Sequence, residues 1–576
     1  MGFLKKYSKT SIVILIIIIA LGIFVRFSHF SEESYWNDDM TTIPTALLWF
    51  YPHSYYPGLA GQGEPGLGNY FIGLGCMLSG QDFSKVTEIQ PMFYPGRPGL
   101  IGREMVNAEK YCRLPMYAFG LLFFIAIIIL AMLLLDEYAS IFAIAFYSFS
   151  SFILLLSRWI HVDTIEYFFL AIGLIFLWKF YVKEINAKYE KLFLILAALS
   201  FGFALATKLP AGVFLVFLAL IALKKYKNEA LSLIKIILKK LNLKVNEKIL
   251  HDEKPGNLVK AAVYSGVAYA IAILFSFEYK FKNLFLVIEK YSAVNPEHSF
   301  MSFNRQILLD IYNFLITLNE IDLIIIILSV YTLIKLAFSK KDKNEEFLLY
   351  LFGLFLITLT FFTALNYTRV FYIFSPAIIF IMALTFSEKD YSIFNLFKIN
   401  NRRAMFLVFI IIYTIFSFST AIGASPHFTP KNQLLCVFNG PECSQDKLRY
   451  FTNVYGLAAK QTANGLNNIL GENETFISSN EVIYYYTRQE DSYELYLFIN
   501  SARKQIDRRP NLGEFIKYFR PGNRTVRYAV VNPNSVDADF PEFEELKKKS
   551  VPNYVIKAYG MDAAYIYDLN NLKLKK

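Results

Sequence analysis

Leu114-Pro-Met-Tyr-Ala-Phe-Gly-Leu-Leu-Phe-Phe-Ile-Ala-Ile-Ile-Ile-Leu-Ala-Met-Leu-Leu-Leu135 runs without one charged side chain. A helix needs about 20 mainly apolar residues to cross the hydrocarbon core, and about 17 can serve. This stretch therefore reads as a membrane span. Similar runs stand at 11–27, 139–157, 164–182, 191–207, 210–223, 258–277, 321–338, 347–364, 370–386 and 404–422. Together they predict a polytopic α-helical membrane protein with about eleven transmembrane helices. Composition agrees: of 576 residues 55% are hydrophobic, 17% aromatic and only 18% charged, against about a quarter charged in soluble domains. The net charge of +11 would suggest nucleic acid in a soluble chain. Here the cations cluster beside apolar runs, which fits anionic headgroups and excludes a nucleic-acid partner.

The first run follows Lys5, Lys6 and Lys9 as a signal peptide would. It ends in Val25-Arg26-Phe27-Ser28-His29 with no small-residue cleavage site, so it reads as a retained anchor. With the N-terminus inside, four basic clusters fall on the cytoplasmic side: Lys179 to Lys191, the segment 224–257, Lys340 to Lys343, and Arg402-Arg403. Segment 224–257 is amphipathic and reads as lying on the inner membrane surface. The first outer loop is then 28–113, and the chain divides into a membrane module 1–423 and an extracytoplasmic tail 424–576. The tail reads as a small α/β domain, with helices at 449–470 and 490–506, a strand at 527–531, and a hairpin over 554–568 turning at Gly560-Met561-Asp562. All four cysteines fall outside, where Cys76 with Cys112 and Cys436 with Cys443 can pair, although free thiols remain open.

Three groups of residues carry chemistry. Ser34-Tyr35-Trp36-Asn37-Asp38-Asp39-Met40 sets two carboxylates just past the first span. That pair suits a general base or a metal, and equally a solvated loop end. Ser157-Arg158-Trp159-Ile160-His161-Val162-Asp163-Thr164-Ile165-Glu166 places four ionisable groups, Arg158, His161, Asp163 and Glu166, at the outer boundary. Ionisable groups at that depth face a cavity or pair with each other, Arg158 with Asp163 being the plain alternative. Lys208, between the fifth and sixth runs, and Arg369, at the tenth, are cations on the side where few are expected. An anionic ligand such as a lipid phosphate, or a carboxylate counter-ion, gives each a reason to be there.

This order of motifs resembles the GT-C glycosyltransferases, in particular the branch of protein O-mannosyltransferases, aminoarabinose transferases and RgtA/B/C/D-like proteins. The acidic pair after the first span, Asp163 after the third and the Thr207-Lys208 step carry the likeness. So do Arg369 to Pro376 and Ser425-Pro426-His427-Phe428. Two departures stand out: Asp38-Asp39 where the family commonly has Asp-Glu, and no Trp-Trp-Asp in the tail, which disfavours transfer of a whole oligosaccharide to asparagine.

The resemblance implies a polyprenyl-phosphate sugar as donor, a glycan, lipid or protein hydroxyl as acceptor, and inversion at the outer leaflet of a prokaryotic plasma membrane. By family position Asp38 is the base, with Asp39 and Asp163 shaping the site or holding Mg or Mn. Arg158, His161, Glu166, Lys208 and Arg369 are then the donor-binding residues. The rival classes are a lipid or glycan flippase and a non-enzymatic scaffold. A flippase tends to show internal repeats and midplane charges, and the sequence displays neither. The glycine-rich stretches 58–68 and 94–99 read as mobile loops, with a lid as the functional alternative. Segment 279–320 is a further candidate for the carrier lipid.

Overall fold

A helix stands in every one of these apolar runs. The computed structural model describes residues 6–27, 66–83, 103–150, 162–182, 187–240, 256–276, 320–361, 373–423, 459–478, 525–531, 541–558 and 561–574, with isolated positions between them. The helices in chain order are α1 (Lys9–Phe27), α2 (Gly66–Met77), α3 (Arg103–Leu134), α4 (Glu137–Phe149), α5 (Asp163–Val182) and α6 (Ala187–Thr207). After them come α7 (Val213–Lys225), α8 (Lys227–Lys240), α9 (Gly256–Ser276), α10 (Glu320–Phe338), α11 (Lys343–Phe361), α12 (Ser375–Leu384) and α13 (Arg402–Gly423). Among the described residues six helices are long and apolar enough to cross a membrane by length and composition: α1, α3, α5, α6, α9 and α10.

The bundle is built around α4, whose side chains from Tyr138 to Phe149 are all buried. Helices α1, α3, α12 and α13 surround it, while α5, α6 and α9 pack in sequence alongside α3. Helix α4 is shorter than the 139–157 run predicts. It opens on Asp136, which caps Ala139 N at 3.1 Å, and stops where Ser150 turns extended. The last carbonyls of a helix lack partners within it and attract a cation. Arg26 supplies one, donating to Tyr147 O at 2.5 Å and Ser148 O at 3.3 Å while its guanidinium lies 3.9 Å from the Phe124 ring. The first run is thereby tied into the core. Helix α12 also falls short of its run, 370–386; Pro376 stands in its first turn, where a missing N–H costs nothing.

The loops assigned to the inner side do gather at one end. Lys6 donates to Met132 O at 2.6 Å, and Ser8 N donates to Glu137 at 3.0 Å. Lys389 bridges Asp342, at 2.6 Å, and Glu345, which Tyr391 also reaches at 2.6 Å. Asp136 accepts from Glu388 N at 3.0 Å. A cavity of about 450 Å³ opens among these groups, lined by Lys6, Asp136, Trp178, Glu345 and Lys389 among others. Burial pushes the Asp342 carboxyl up, but hydrogen bonds from Lys389 and two backbone amides outweigh it, and the group titrates below its ordinary value.

The C-terminal residues form α14 (Ala459–Ile469), β1 (Glu474–Ser478), β2 (Thr525–Val531), α15 (Pro541–Lys549), β3 (Ser550–Val551), β4 (Tyr554–Ala558), β5 (Met561–Asp568) and β6 (Lys573–Leu574). The main sheet has the order β1-β2-β5-β4, parallel between β1 and β2 and antiparallel elsewhere. Of the helix expected at 449–470, residues 459–469 form α14 and 449–458 lie outside the described residues. One expectation needs correction. The hairpin turns earlier than predicted, since Ala558 pairs with Met561 and both Met561 and Asp562 lie in β5. The predicted helix 490–506 lies outside the described residues. Strand β1 and helix α15 were not anticipated.

Candidate active site

Opposite the basic end, the sequence Ala206-Thr207-Lys208-Leu209-Pro210 breaks one long apolar run into two helices. Proline at the start of a helical turn lacks the N–H that would continue α6. Helix α6 stops at Thr207, Lys208 is extended, and Leu209–Gly212 forms a single 3-10 turn before α7. That break turns the Lys208 side chain into the bundle, where it is 3% exposed and forms an ion pair with Asp163, 2% exposed. Asp163 is the first residue of α5 and Glu166 lies one turn on; both are buried. A carboxylate at a helix N-terminus is favoured by the aligned peptide dipoles. A carboxylate and an ammonium therefore meet where water is scarce, with a second carboxylate buried one turn away, and electrostatic forces there are strong.

Helix α2 closes on this pair. A Cβ on Gly68 would stand 2.6 Å from Val162 Cβ and 2.8 Å from Thr207 Cγ2, so only glycine lets the helix approach so near. Gly75 similarly admits Pro115, and one residue on Cys76 is disulfide-bonded to Cys112 of α3. The pairing predicted for these two cysteines is present. The end of the glycine-rich stretch, Gly66 to Gly68, is helix rather than mobile loop. Residues 58–65, 94–99 and 436–443 lie outside the described residues.

A second buried ion pair joins Arg113 to Glu109 at 3.2 Å on the first turns of α3. Glu109 also receives Lys460 of α14, at 3.5 Å, so the C-terminal residues meet the helix bundle at the end opposite the basic loops. Sequence reading missed this pair. The only signal was an i, i+4 acid–base spacing, which ordinarily marks a solvated helix face.

Of the predicted site residues, Asp163, Glu166 and Lys208 are described, and the first and last are in contact. Asp38, Asp39, Arg158, His161 and Arg369 lie outside the described residues, as does most of 279–320. Among the described residues no three of His, Cys, Asp and Glu stand together as a metal site.

These features define a class, a helical membrane protein with a buried acid–base pair walled by a disulfide-tied helix. The family model for dolichyl-phosphate-mannose-protein mannosyltransferase matches residues 62–243, which hold α2, α3, Asp163 and Lys208. That match bears out the resemblance to GT-C membrane glycosyltransferases over that part of the chain. No curated protein matches by sequence. Two solved structures are similar in outline. One is ArnT from Cupriavidus metallidurans bound to undecaprenyl phosphate: 12% identity, TM-score 0.43, covering 97% of this chain and 98% of that one. The other is the oligosaccharyltransferase AglB from Archaeoglobus fulgidus with an inhibitory peptide and a dolichol-phosphate: 13% identity, TM-score 0.43, covering 92% and 70%. At that score neither carries an argument.

Proposed function

We propose that this protein transfers a sugar from a polyprenyl-phosphate carrier to an acceptor hydroxyl at the outer leaflet, inverting the anomeric centre. The observation that carries the reading is the buried Asp163–Lys208 pair, which lies within the stretch matching the mannosyltransferase model. In this reading the acceptor oxygen attacks the anomeric carbon, and the bond from that carbon to the phosphate oxygen breaks. The acceptor proton passes to Asp38, the base by family position, and polyprenyl phosphate leaves with the bonding electrons.

Negative charge grows on the phosphate as it leaves, and a preplaced cation stabilises it most where water is excluded. Lys208 fills that role by exchanging part of its attraction to Asp163 for the phosphate, with Arg369 and Arg158 as further donors. Asp163 holds Lys208 in place, while Asp39, His161 and Glu166 shape the sugar pocket. A divalent cation, Mg or Mn, would have to draw on Asp38, Asp39 and Asp163. The tail, 424–576, is read as an extracytoplasmic domain on the acceptor side, in a chain set in a prokaryotic plasma membrane with about eleven spans.

The test is binding. Native mass spectrometry of the purified chain with undecaprenyl phosphate is expected to show retention by the wild type and a loss of roughly tenfold or more in Lys208→Met. Equal retention in a Lys208→Met protein that still unfolds cooperatively would remove the phosphate role.

A further inference from the structure

Helix α8 follows α7 directly and belongs to none of the bundle's apolar layers. Its sequence, Lys227-Asn-Glu-Ala-Leu-Ser-Leu-Ile-Lys-Ile-Ile-Leu-Lys-Lys240, alternates two kinds of side chain at helical spacing. Ile234, Ile236 and Ile237 are 48%, 44% and 49% exposed, and Lys227 is exposed at its start. Three exposed isoleucines within four residues are costly in water.

The depth of α8 is set by its neighbours. Glu229 accepts from Asn257 N and Leu258 N, each at 2.8 Å, and from Asn257 Nδ2 at 2.9 Å. It therefore caps the N-terminus of α9, whose residues Gly256–Leu274 are apolar and long enough to cross a membrane. Tyr226, between α7 and α8, donates to Glu190 at the start of α6. A helix fixed to the end of a span lies at headgroup level. The capping also takes up the one acid of α8, so the sequence of the helix sets Lys227, Lys235, Lys239 and Lys240 against no other acid of its own, with Lys227 exposed.

We infer that α8 is a docking surface for anionic phospholipid, its isoleucines entering the acyl boundary and its lysines meeting the headgroups. The charge complementarity selects the partner: a basic amphipathic helix gains affinity with each lysine held near an anionic surface. A water-facing role leaves the isoleucines unexplained, and a neutral lipid surface leaves the lysines unexplained. The surface is separate from the Asp163–Lys208 site, which stands at the other end of α5 and α6.

The experiment uses the full chain in nanodiscs of equal phosphatidylcholine and phosphatidylglycerol. A photoreactive p-benzoylphenylalanine replaces Ile237, and adducts are identified by mass. Ile327 of α10, 71% exposed on a candidate span, serves as the lipid-facing control. Lipid adducts are expected at both positions. At 237 phosphatidylglycerol should exceed phosphatidylcholine at least threefold, and that ratio should fall toward one when Lys227, Lys235 and Lys239 become Gln. Adducts at 327 but none at 237, or adducts at 237 that are protein rather than lipid, would overturn the inference. A ratio near one in the wild type would overturn the anionic preference.

Discussion

Lys208 and Asp163 form a buried pair on which stability and the proposed chemistry both rest. Burying either charge costs several kcal/mol, offset by their attraction. Removing the cation strips Asp163 of it, and Lys208→Met is expected to lower stability by about 3–5 kcal/mol. The double variant Lys208→Met, Asp163→Leu should recover most of that loss while staying inactive, as read by thermal unfolding beside a transfer assay. Losses that simply add would argue against coupling. Gly68→Val is a second probe, since its side chain must displace Val162 and Thr207. It is expected to cost about 1–3 kcal/mol by overpacking, and to reduce transfer more than Gly266→Val in open space does. Lys208 was legible in the sequence because a cation beside proline breaks an apolar run. The Glu109–Arg113 pair was not, because its spacing is that of any surface helix and only tertiary packing buries it.

At the scale of elements, hydrophobic run length located the helices well, since crossing a bilayer imposes a length on the sequence itself. Their ends were less legible. Helix α4 stops at Phe149 because Ser150 leaves the helix and Arg26 takes the final carbonyls, a contact made across 121 residues of sequence. Strand β1 is only Glu474–Ser478 and acquires its identity by pairing with β2, far along the chain. The outer loop looked unstructured for a related reason: α2 is glycine-rich and gains order from α3 through Cys76–Cys112. Replacing both cysteines by serine is expected to cost about 2–4 kcal/mol. Hydrogen exchange should rise first in 66–77, whereas equal exchange there in both proteins would show that packing alone holds α2.

For the whole molecule, the two ends of the bundle differ in character. One end is a lattice of lysines and carboxylates between loops, and the other holds the buried Asp163–Lys208 pair and the contact from Lys460 to Glu109. The C-terminal sheet has its own electrostatic seam, where Arg527 holds Glu474 and, at 3.0 Å, Asp568. Burial raises the Asp568 pKa, but the Arg527 hydrogen bond and backbone amides more than reverse it, leaving it below the ordinary value. A depressed carboxylate contributes stability that is present above its unfolded pKa and is lost as pH falls through the folded one. Pulse-labelled hydrogen exchange at one fixed pH, after incubation between pH 7 and 3, should show 525–531 and 561–568 opening in the acid range. Asp568→Asn should flatten that dependence.

In the proposed function these helices frame a sugar transfer from a lipid phosphate. Its most direct measurement is mass spectrometry of polyprenyl-phosphate-linked sugars and outer-surface glycans in cells lacking the protein, complemented with wild type or with the Asp38→Asn, Asp163→Asn double variant. One lipid-linked sugar is expected to accumulate and one glycan to disappear in the deletion, with wild type reversing both and the membrane-inserted double variant reversing neither. Full restoration by the double variant would contradict the proposed function.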